Sequence, residues 1–264
     1  SISTDHVQGL LESGAIVIAA GFQGFDPDGN ITTLGRGGSD TTAVALAAVL
    51  NADRCEIYTD VDGIYTTDPR VHSGAARLAT VSHDEMLELA SLGAGVMHSR
   101  SIEFAKKFGV PILVRSSFKD GPGTEISSGT TCRRAVSGVA LARDEARITV
   151  EDVPDQPGAS HQLFAELASH GISVDMIIQN AGTEGTADIS FTVTSQDVTS
   201  ALDVTNSVAE RLRAAGVTHN PDVAKVSIVG MGMVHAEGVA ATLFDALAAA
   251  EINVHMITTS EIKV

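Results

Sequence analysis

Three glycines, Gly35, Gly37 and Gly38, stand immediately ahead of Ser39-Asp40 and a nearly unbroken apolar run from Ala43 to Leu50. Glycine lets backbone come close to a ligand, and the free amides of a helix's first turn attract anions. The stretch therefore reads as a loop that enters a buried helix and can seat a phosphate or a carboxylate. Just beyond it, Cys55-Glu56-Ile57-Tyr58 reads as a strand that discharges into Thr59-Asp60-Val61-Asp62-Gly63. An open α/β sheet places ligand groups at such a strand's carboxyl end. The alternative, a tight turn followed by solvated turn-forming aspartates, uses the same residues. Neither P-loop spacing nor a protein-kinase signature is present.

The elements that must position these loops are legible on either side. Asp5 to Ser13 reads as a helix, and Ala15 to Ala20 is an apolar run of strand length, as expected of a buried parallel strand. Gly21 to Phe25 forms another glycine-bearing loop, and Asp26 to Asn30 is a turn cluster that returns the chain to Gly35. Ser82-His83-Asp84-Glu85 begins a helix with a cap and early acids; a second helix, Ser99 to Phe108, stops at Gly109. Val110 to Val114 is a short strand whose Pro111 suits the edge of a sheet. Alternating strands and helices argue for a parallel sheet. Gly121-Pro122-Gly123-Thr124 and the stretch from Ser127 to Arg134 read as a linker that ends this first domain.

Composition narrows the function classes. The chain has 264 residues, 44% of them apolar, enough for two or more domains with a sizeable core. Seventeen basic against 33 acidic residues give a formal charge of −16, which disfavours nucleic acid and anionic membrane surfaces as partners. Two cysteines, Cys55 in the strand and Cys132 in the linker, argue against a disulfide framework and for a reducing cytoplasm. No run approaches the roughly 18 apolar residues of a membrane span, and no secretory signal leads the chain.

The remainder contains a repeat. At a shift of 80 residues, nine residue types coincide, among them Gly158 with Gly238, Leu163 with Leu243, Phe164 with Phe244 and Met176 with Met256. Each copy reads as strand (Ile148 to Val150; Val226 to Val229), glycine loop, helix (Ala159 to His170; Val239 to Ala250) and strand (Ser173 to Gln179; Asn253 to Thr259). In the first copy Asp188 to Thr194 adds a strand and Val198 to Ala214 a second helix, so the units are small βαββαβ modules. In the first copy, helix-start amides can hold an α-carboxylate while Asp155 or Asp175 meets an ammonium group. Alternatively Asp155 caps its helix and Asp175 is a solvated strand residue. The second copy stops at Val264, before its second helix and last strand.

The strings LGRGGSDTTA and IYTDVDGIYTTDPR closely resemble the aspartate kinases of the amino-acid kinase family, nearly residue for residue over roughly 40 positions. The repeats resemble the paired ACT domains that follow the catalytic domain in those enzymes. The resemblance implies an α/β fold: an open, mostly parallel sheet with helices on both faces over residues 1–128, a linker over 129–145, and two α+β ACT modules at 146–225 and 226–264, the second incomplete. It further implies that the amino-terminal half of the kinase domain, which opens in such enzymes with a Lys-Phe-Gly-Gly-Ser/Thr stretch, is not in this chain.

The implied reaction is transfer of the γ-phosphoryl group of ATP, with Mg²⁺, to the side-chain carboxylate of L-aspartate. Such a nucleophile is already ionised, so positioning and charge neutralisation carry the catalysis. The resemblance assigns Arg36, Gly37, Gly38 and Ser39 to aspartate, with Arg36 forking onto a carboxylate and Asp40 orienting the cationic groups near the phosphates. It assigns Thr59, Asp60, Tyr65, Thr66, Thr67, Asp68, Pro69, Arg70, Gly95 and Val96 to the nucleotide, and no residue to a protein-held metal. Gly95 departs from the family pattern, which has a lysine there aimed at the phosphates. Lys106 and Lys107, farther along, are expected to be solvated, and His98 to cap or pack its helix. For an amino-acid effector, lysine or threonine, the assigned residues are Asp155, Gln156, Pro157, Gly158, Ser173, Val174, Asp175 and Gln179. In the second module they are Val239, Ala240, Asn253, Val254, Ser260 and Glu261. A homo-oligomer or an α/β hetero-oligomer through the ACT modules is implied. A non-catalytic amino-acid sensor that keeps kinase-like residues as scaffold is the alternative.

Overall fold

A computed structural model describes residues 4–129, 134–182 and 185–264, which fall into two units. The first comprises Ser1–Ala140, Ser227–Asn253 and Thr259–Val264; the second comprises Leu141–Val226 and Val254–Thr258. Cys132 and part of the expected linker lie outside the described residues.

In the first unit the order is α1 (Asp5–Glu12), β1 (Gln23–Phe25), β2 (Ile31–Thr33), α2 (Gly38–Val49), β3 (Cys55–Thr59), β4 (Thr80–Val81), α3 (His83–Ser91), α4 (Ser99–Phe108), β5 (Ile112–Ser116) and β6 (Thr124–Ile126). The Asp26–Asn30 cluster closes a β1–β2 hairpin, with Asp26 Oδ1 accepting from the amides of Asp28 (3.0 Å) and Asn30 (2.8 Å). The main sheet runs β3-β5-β6-β4; β3 with β5 and β4 with β6 are parallel, and β5 with β6 antiparallel, so it is mostly parallel as expected. Its core joins Val44 of α2, Met86 of α3, Ile102 of α4 and Ile112 of β5, each fully buried.

Two expectations fail here. Ala15 to Ala20 forms no strand: the run pairs with no strand among the described residues, and Ile16 and Ile18 are 93% and 94% exposed. A parallel strand is stable only when paired and covered on both faces. And β5 is interior rather than an edge: Pro111 precedes it and gives only its carbonyl, to Cys55 N at 2.8 Å, so the missing N–H costs the ladder nothing.

The Ser82 start of α3 is a capping box. Ser82 Oγ accepts from the Glu85 amide at 3.1 Å while the Glu85 carboxylate accepts from the Ser82 amide at 3.1 Å. Beside it His83, 2% exposed, donates Nε2–H to the Val110 carbonyl at 3.0 Å, which leaves Nδ1 to accept from Ser128 Oγ at 3.0 Å. Burial lowers the His83 pKa below its ordinary 6.5. Folding therefore favours the neutral ring, and the unfolded chain takes up the proton first. This contribution to stability is complete above pH 6.5 and is lost as pH falls from there toward the lower folded value. Thermal unfolding followed by circular dichroism should show Tm falling below that point, and His83→Gln should flatten that part of the profile.

The second unit is built from β7 (Gly138–Pro154), α5 (Ala159–Ser169), β8 (Ile177–Ala181), β9 (Thr186–Thr194), α6 (Val198–Leu212) and β10 (Gly216–Val229). β7 begins inside the stretch expected to be linker. The sheet order β10-β7-β9-β8, with β9 antiparallel to both neighbours, is that of a ferredoxin-like βαββαβ module. Alternation puts Ala146, Ile148, Ile189 and Phe191 into one core with Leu163 and Leu167 of α5 and Val208 of α6. The strand expected from Ser173 begins only at Ile177. In the second repeat α7 (Val239–Ala249) forms as expected, but Asn253 to Thr259 is not a strand, and Ile257 is 51% exposed. The physical reason is the one that applies to Ala15–Ala20: no sheet edge among the described residues pairs with it. No helix among them is long and apolar enough to cross a membrane.

Candidate functional site

The loop ahead of α2 is a tight cradle. Gly38 N donates to the Gly35 carbonyl at 2.9 Å, and Gly37 takes φ of 73° as the helix N-cap, with no side chain capping the first-turn amides. Only glycine fits at Gly37, since a Cβ there would overlap Cβ and Cγ of His98. Arg100 Nη1 donates to the Leu34 carbonyl at 3.1 Å, so the start of α4 holds the loop from the other side. Gly21 lies against Ser39, with an added Cβ 3.3 Å from its Cα. Among the described residues Arg36 is exposed and has no ion pair. Burial raises the pKa of Asp40, and the nearby His98 partly opposes this. Cys55, buried and close to Asp40, has its thiol pushed up to about 11 by burial first and by Asp40 and Glu56 next, so it stays protonated.

The acidic corner follows β3. Ser117 N donates to the Thr59 carbonyl at 2.8 Å, and Thr59 Oγ1 donates to Asp60 at 3.1 Å. Tyr65 OH donates to Asp62 at 2.9 Å, which raises the phenol's pKa. Asp68 and Arg70 form a fork at 2.8–3.1 Å on the turn that carries Pro69, and Arg70 is 89% exposed. Thr66 ties this turn down through Val139 N (2.7 Å) and Ala76 N (3.1 Å); Thr67 is half-buried. Gly95 and Val96 lie on the loop from α3 to α4 that ends at His98 against Gly37. No hydrogen bond or ion pair among the described residues joins them to the Asp60 corner. His98 Nδ1 accepts from Arg100 N at 3.3 Å and so caps α4, as expected, while Lys106 is paired with Asp84 at 2.6 Å rather than simply solvated.

In the second unit Asp155, Gln156, Pro157 and Gly158 are exposed ahead of α5, whose N-cap is Gly158 with φ of 97°. Asp155 does not cap that helix; its amide donates to the Gly185 carbonyl at 2.9 Å. Gln179 Oε1 accepts from Ser160 Oγ at 3.0 Å, which brings β8 to the first turn of α5. Asp175, on the stretch with Ser173 and Val174, is not merely solvated: it pairs with the ammonium of Lys225, which also binds Glu145 at 3.2 Å. The sequence did not single out Lys225 or Glu145, because Lys225 lies 50 residues from Asp175 and 80 from Glu145 along the chain. In the second repeat Val239 and Ala240 open α7 behind Gly238, whereas Asn253, Val254, Ser260 and Glu261 sit on irregular, exposed chain, with Ser260 N donating to the Lys263 carbonyl at 2.9 Å.

Residues 1–116 match the amino acid kinase family model, and residues 146–213 and 226–264 match two ACT domain models. The aspartokinase of Pseudomonas aeruginosa is 49% identical over 267 residues, covering all of this chain and 65% of its own length. That of Helicobacter pylori is 46% identical over 270 residues, covering 66% of its length. The chain thus spans just under two thirds of these relatives. Among solved structures, Clostridium acetobutylicum aspartate kinase superposes on 92% of the chain with a TM-score of 0.82 at 28% identity, 57% of that protein being covered. Escherichia coli aspartokinase III in complex with aspartate and ADP superposes on 98% with a TM-score of 0.76 at 33% identity, 58% of it being covered. The glycine cradle, the acidic corner after β3 and the ferredoxin-like module all fall within these matches: the chain belongs to the aspartate kinase family.

Proposed function

We propose that the protein is an ATP-dependent aspartate kinase, making 4-phospho-L-aspartate for the biosynthesis of lysine, threonine and methionine in the cytoplasm. The observation that carries this reading is the free guanidinium of Arg36 on a glycine cradle at the uncapped start of α2. Two kinds of anion holder, a fork and a row of amides, there stand within a few residues of each other. The aspartate and ADP bound to the related Escherichia coli enzyme support the pair of substrates.

In the proposed complex Arg36 forks onto one carboxylate of aspartate while Gly37, Gly38 and Ser39 present backbone to it. Asp40, shielded beside His98, orients cationic groups. Thr59, Asp60, Tyr65 and the Thr66–Arg70 turn border the nucleotide. Mg²⁺ enters with the phosphates, as suits an ion that keeps several waters and is commonly bound through substrate phosphates. The ACT residues around Asp155 to Gly158 and Ser173 to Gln179 take an amino-acid effector, and lysine bound to the Escherichia coli enzyme supports an effector of that class. Asp175, already salt-bridged to one ammonium, has the chemistry to meet another. The outer strand β8 leaves an edge on which two copies can pair.

ADP release coupled to NADH oxidation, with the full-length protein and with aspartate present or omitted, tests the reading. Aspartate-dependent turnover is expected, and its absence overturns the proposal in favour of a sensor. Arg36→Ala should lower kcat/KM for aspartate by about 10²-fold, chiefly through KM, as loss of a charge-assisted fork does. An unchanged KM would remove Arg36 from the aspartate site.

A further inference from the structure

Helix α3 meets the 226–264 segment in three ways. The Glu85 carboxylate, 0% exposed, accepts four hydrogen bonds: from Ser82 N (3.1 Å) and Ser82 Oγ (2.9 Å) on one oxygen, and from Ser137 Oγ (2.6 Å) and Met231 N (3.0 Å) on the other. One turn along, Glu88 pairs with Lys263 at 3.0 Å. Val229, fully buried at the end of β10, shares its apolar core with Met86 and Leu89. The approach is close because Gly230 and Gly232 lack side chains; a Cβ on either would overlap the carbonyl oxygen of Ala135 or Arg134.

The far end of α3 leads to the cradle. Leu92 and Met97, buried in the same core, anchor the short loop that ends at His98, which lies against Gly37, and at Arg100, which holds the Leu34 carbonyl. One nine-residue helix therefore touches the second ACT segment through its acidic side chains and runs, through six residues, into the wall of the cradle.

We propose that α3 carries the state of the second ACT segment to the Gly35–Asp40 cradle, with the buried Glu85 carboxylate as the pin that couples them. The inference rests on the reading above, in which the cradle holds aspartate and the ACT modules answer to an amino acid. If the Gly230–Met231 backbone withdraws, either the buried Glu85 carboxylate is left short of a donor, which is costly for a charged group, or the first turn of α3 follows. In the proposed coupling α3 follows, and the loop of Leu92 to Met97 passes the shift to His98 against Gly37. Burial by itself would raise the Glu85 pKa, but its donors Ser137, Met231 and Ser82 hold it below the ordinary 4.5, so the pin is charged at neutral pH.

The test uses the full-length protein and compares Glu85→Gln with wild type. The amide keeps the shape but offers one acceptor oxygen and one donor nitrogen, so a backbone N–H, of Ser82 or of Met231, then faces another donor. Uninhibited turnover should stay within about 3-fold and the calorimetric Kd for lysine or threonine within about 2-fold, whereas the effector concentration for half-inhibition should rise roughly 10-fold or inhibition should vanish. Lys263→Met, at a partly exposed position, should raise it about 2- to 5-fold and decides the matter if Glu85→Gln does not fold. Inhibition at the wild-type midpoint in both variants overturns the coupling alone. A wild-type protein that lacks aspartate-dependent turnover, or that no amino acid inhibits, overturns the functional reading and this inference with it.

Discussion

Gly37→Ala in the full-length protein is expected to lower aspartate-dependent ADP formation by on the order of 10²-fold or more. The residue is the N-cap of α2 with φ of 73°, where an L side chain costs about 1 kcal/mol by backbone sterics alone. That cost is the smaller effect. The added methyl would overlap Cβ and Cγ of His98, and no rotamer change moves the Cβ. Either the start of α4 or the cradle must therefore shift, and positioning groups tolerate very little displacement. His98→Gly in the same chain deletes both obstructing atoms, and we expect it to restore part of the lost rate. Steady-state kinetics on the single and double variants measure this; a fully active Gly37→Ala enzyme would show that the loop does not position substrate.

Gly95→Lys is expected to act in the opposite direction, raising kcat by roughly 10²-fold, the size expected when one cationic group is aimed at charge developing in the transition state. The substitution is structurally free: a Cβ at Gly95 meets nothing within 4 Å. The loop that carries it ends against the cradle, which puts a long ammonium side chain within reach of that end of the site. Gly95→Ala is the control for backbone stiffening and should leave kcat near wild type. An unchanged kcat in Gly95→Lys would mean that the phosphates lie elsewhere.

Much of the local structure was legible because its causes are local. Ser82 and Glu85 define a helix start by mutual capping, Gly109 defines the end of α4 in the left-handed region with φ of 67°, and the alternation from Asp188 to Thr194 defines β9. The strands that failed, Ala15–Ala20 and Asn253–Thr259, failed for one reason. An apolar run reports that a segment is suited to burial; whether a sheet edge is there to receive it depends on other parts of the chain. Pro111 misled in a related way, because strand position in a sheet is set by long-range order and not by the residue itself.

The sequence by itself determined the family, the order of a kinase-like part and two ACT repeats, and the positions of the loops able to hold anions, because each is written in contiguous residues and in a regular spacing. Only the tertiary structure decided which side chains those loops meet: His98 beneath Gly37, Lys225 on Asp175, and Met231 and Ser137 on Glu85. These partners are separated by 50 residues or more along the chain. Their pairing comes from burial, which forces a charged or close-packed group to take the complementary group the folded chain places beside it.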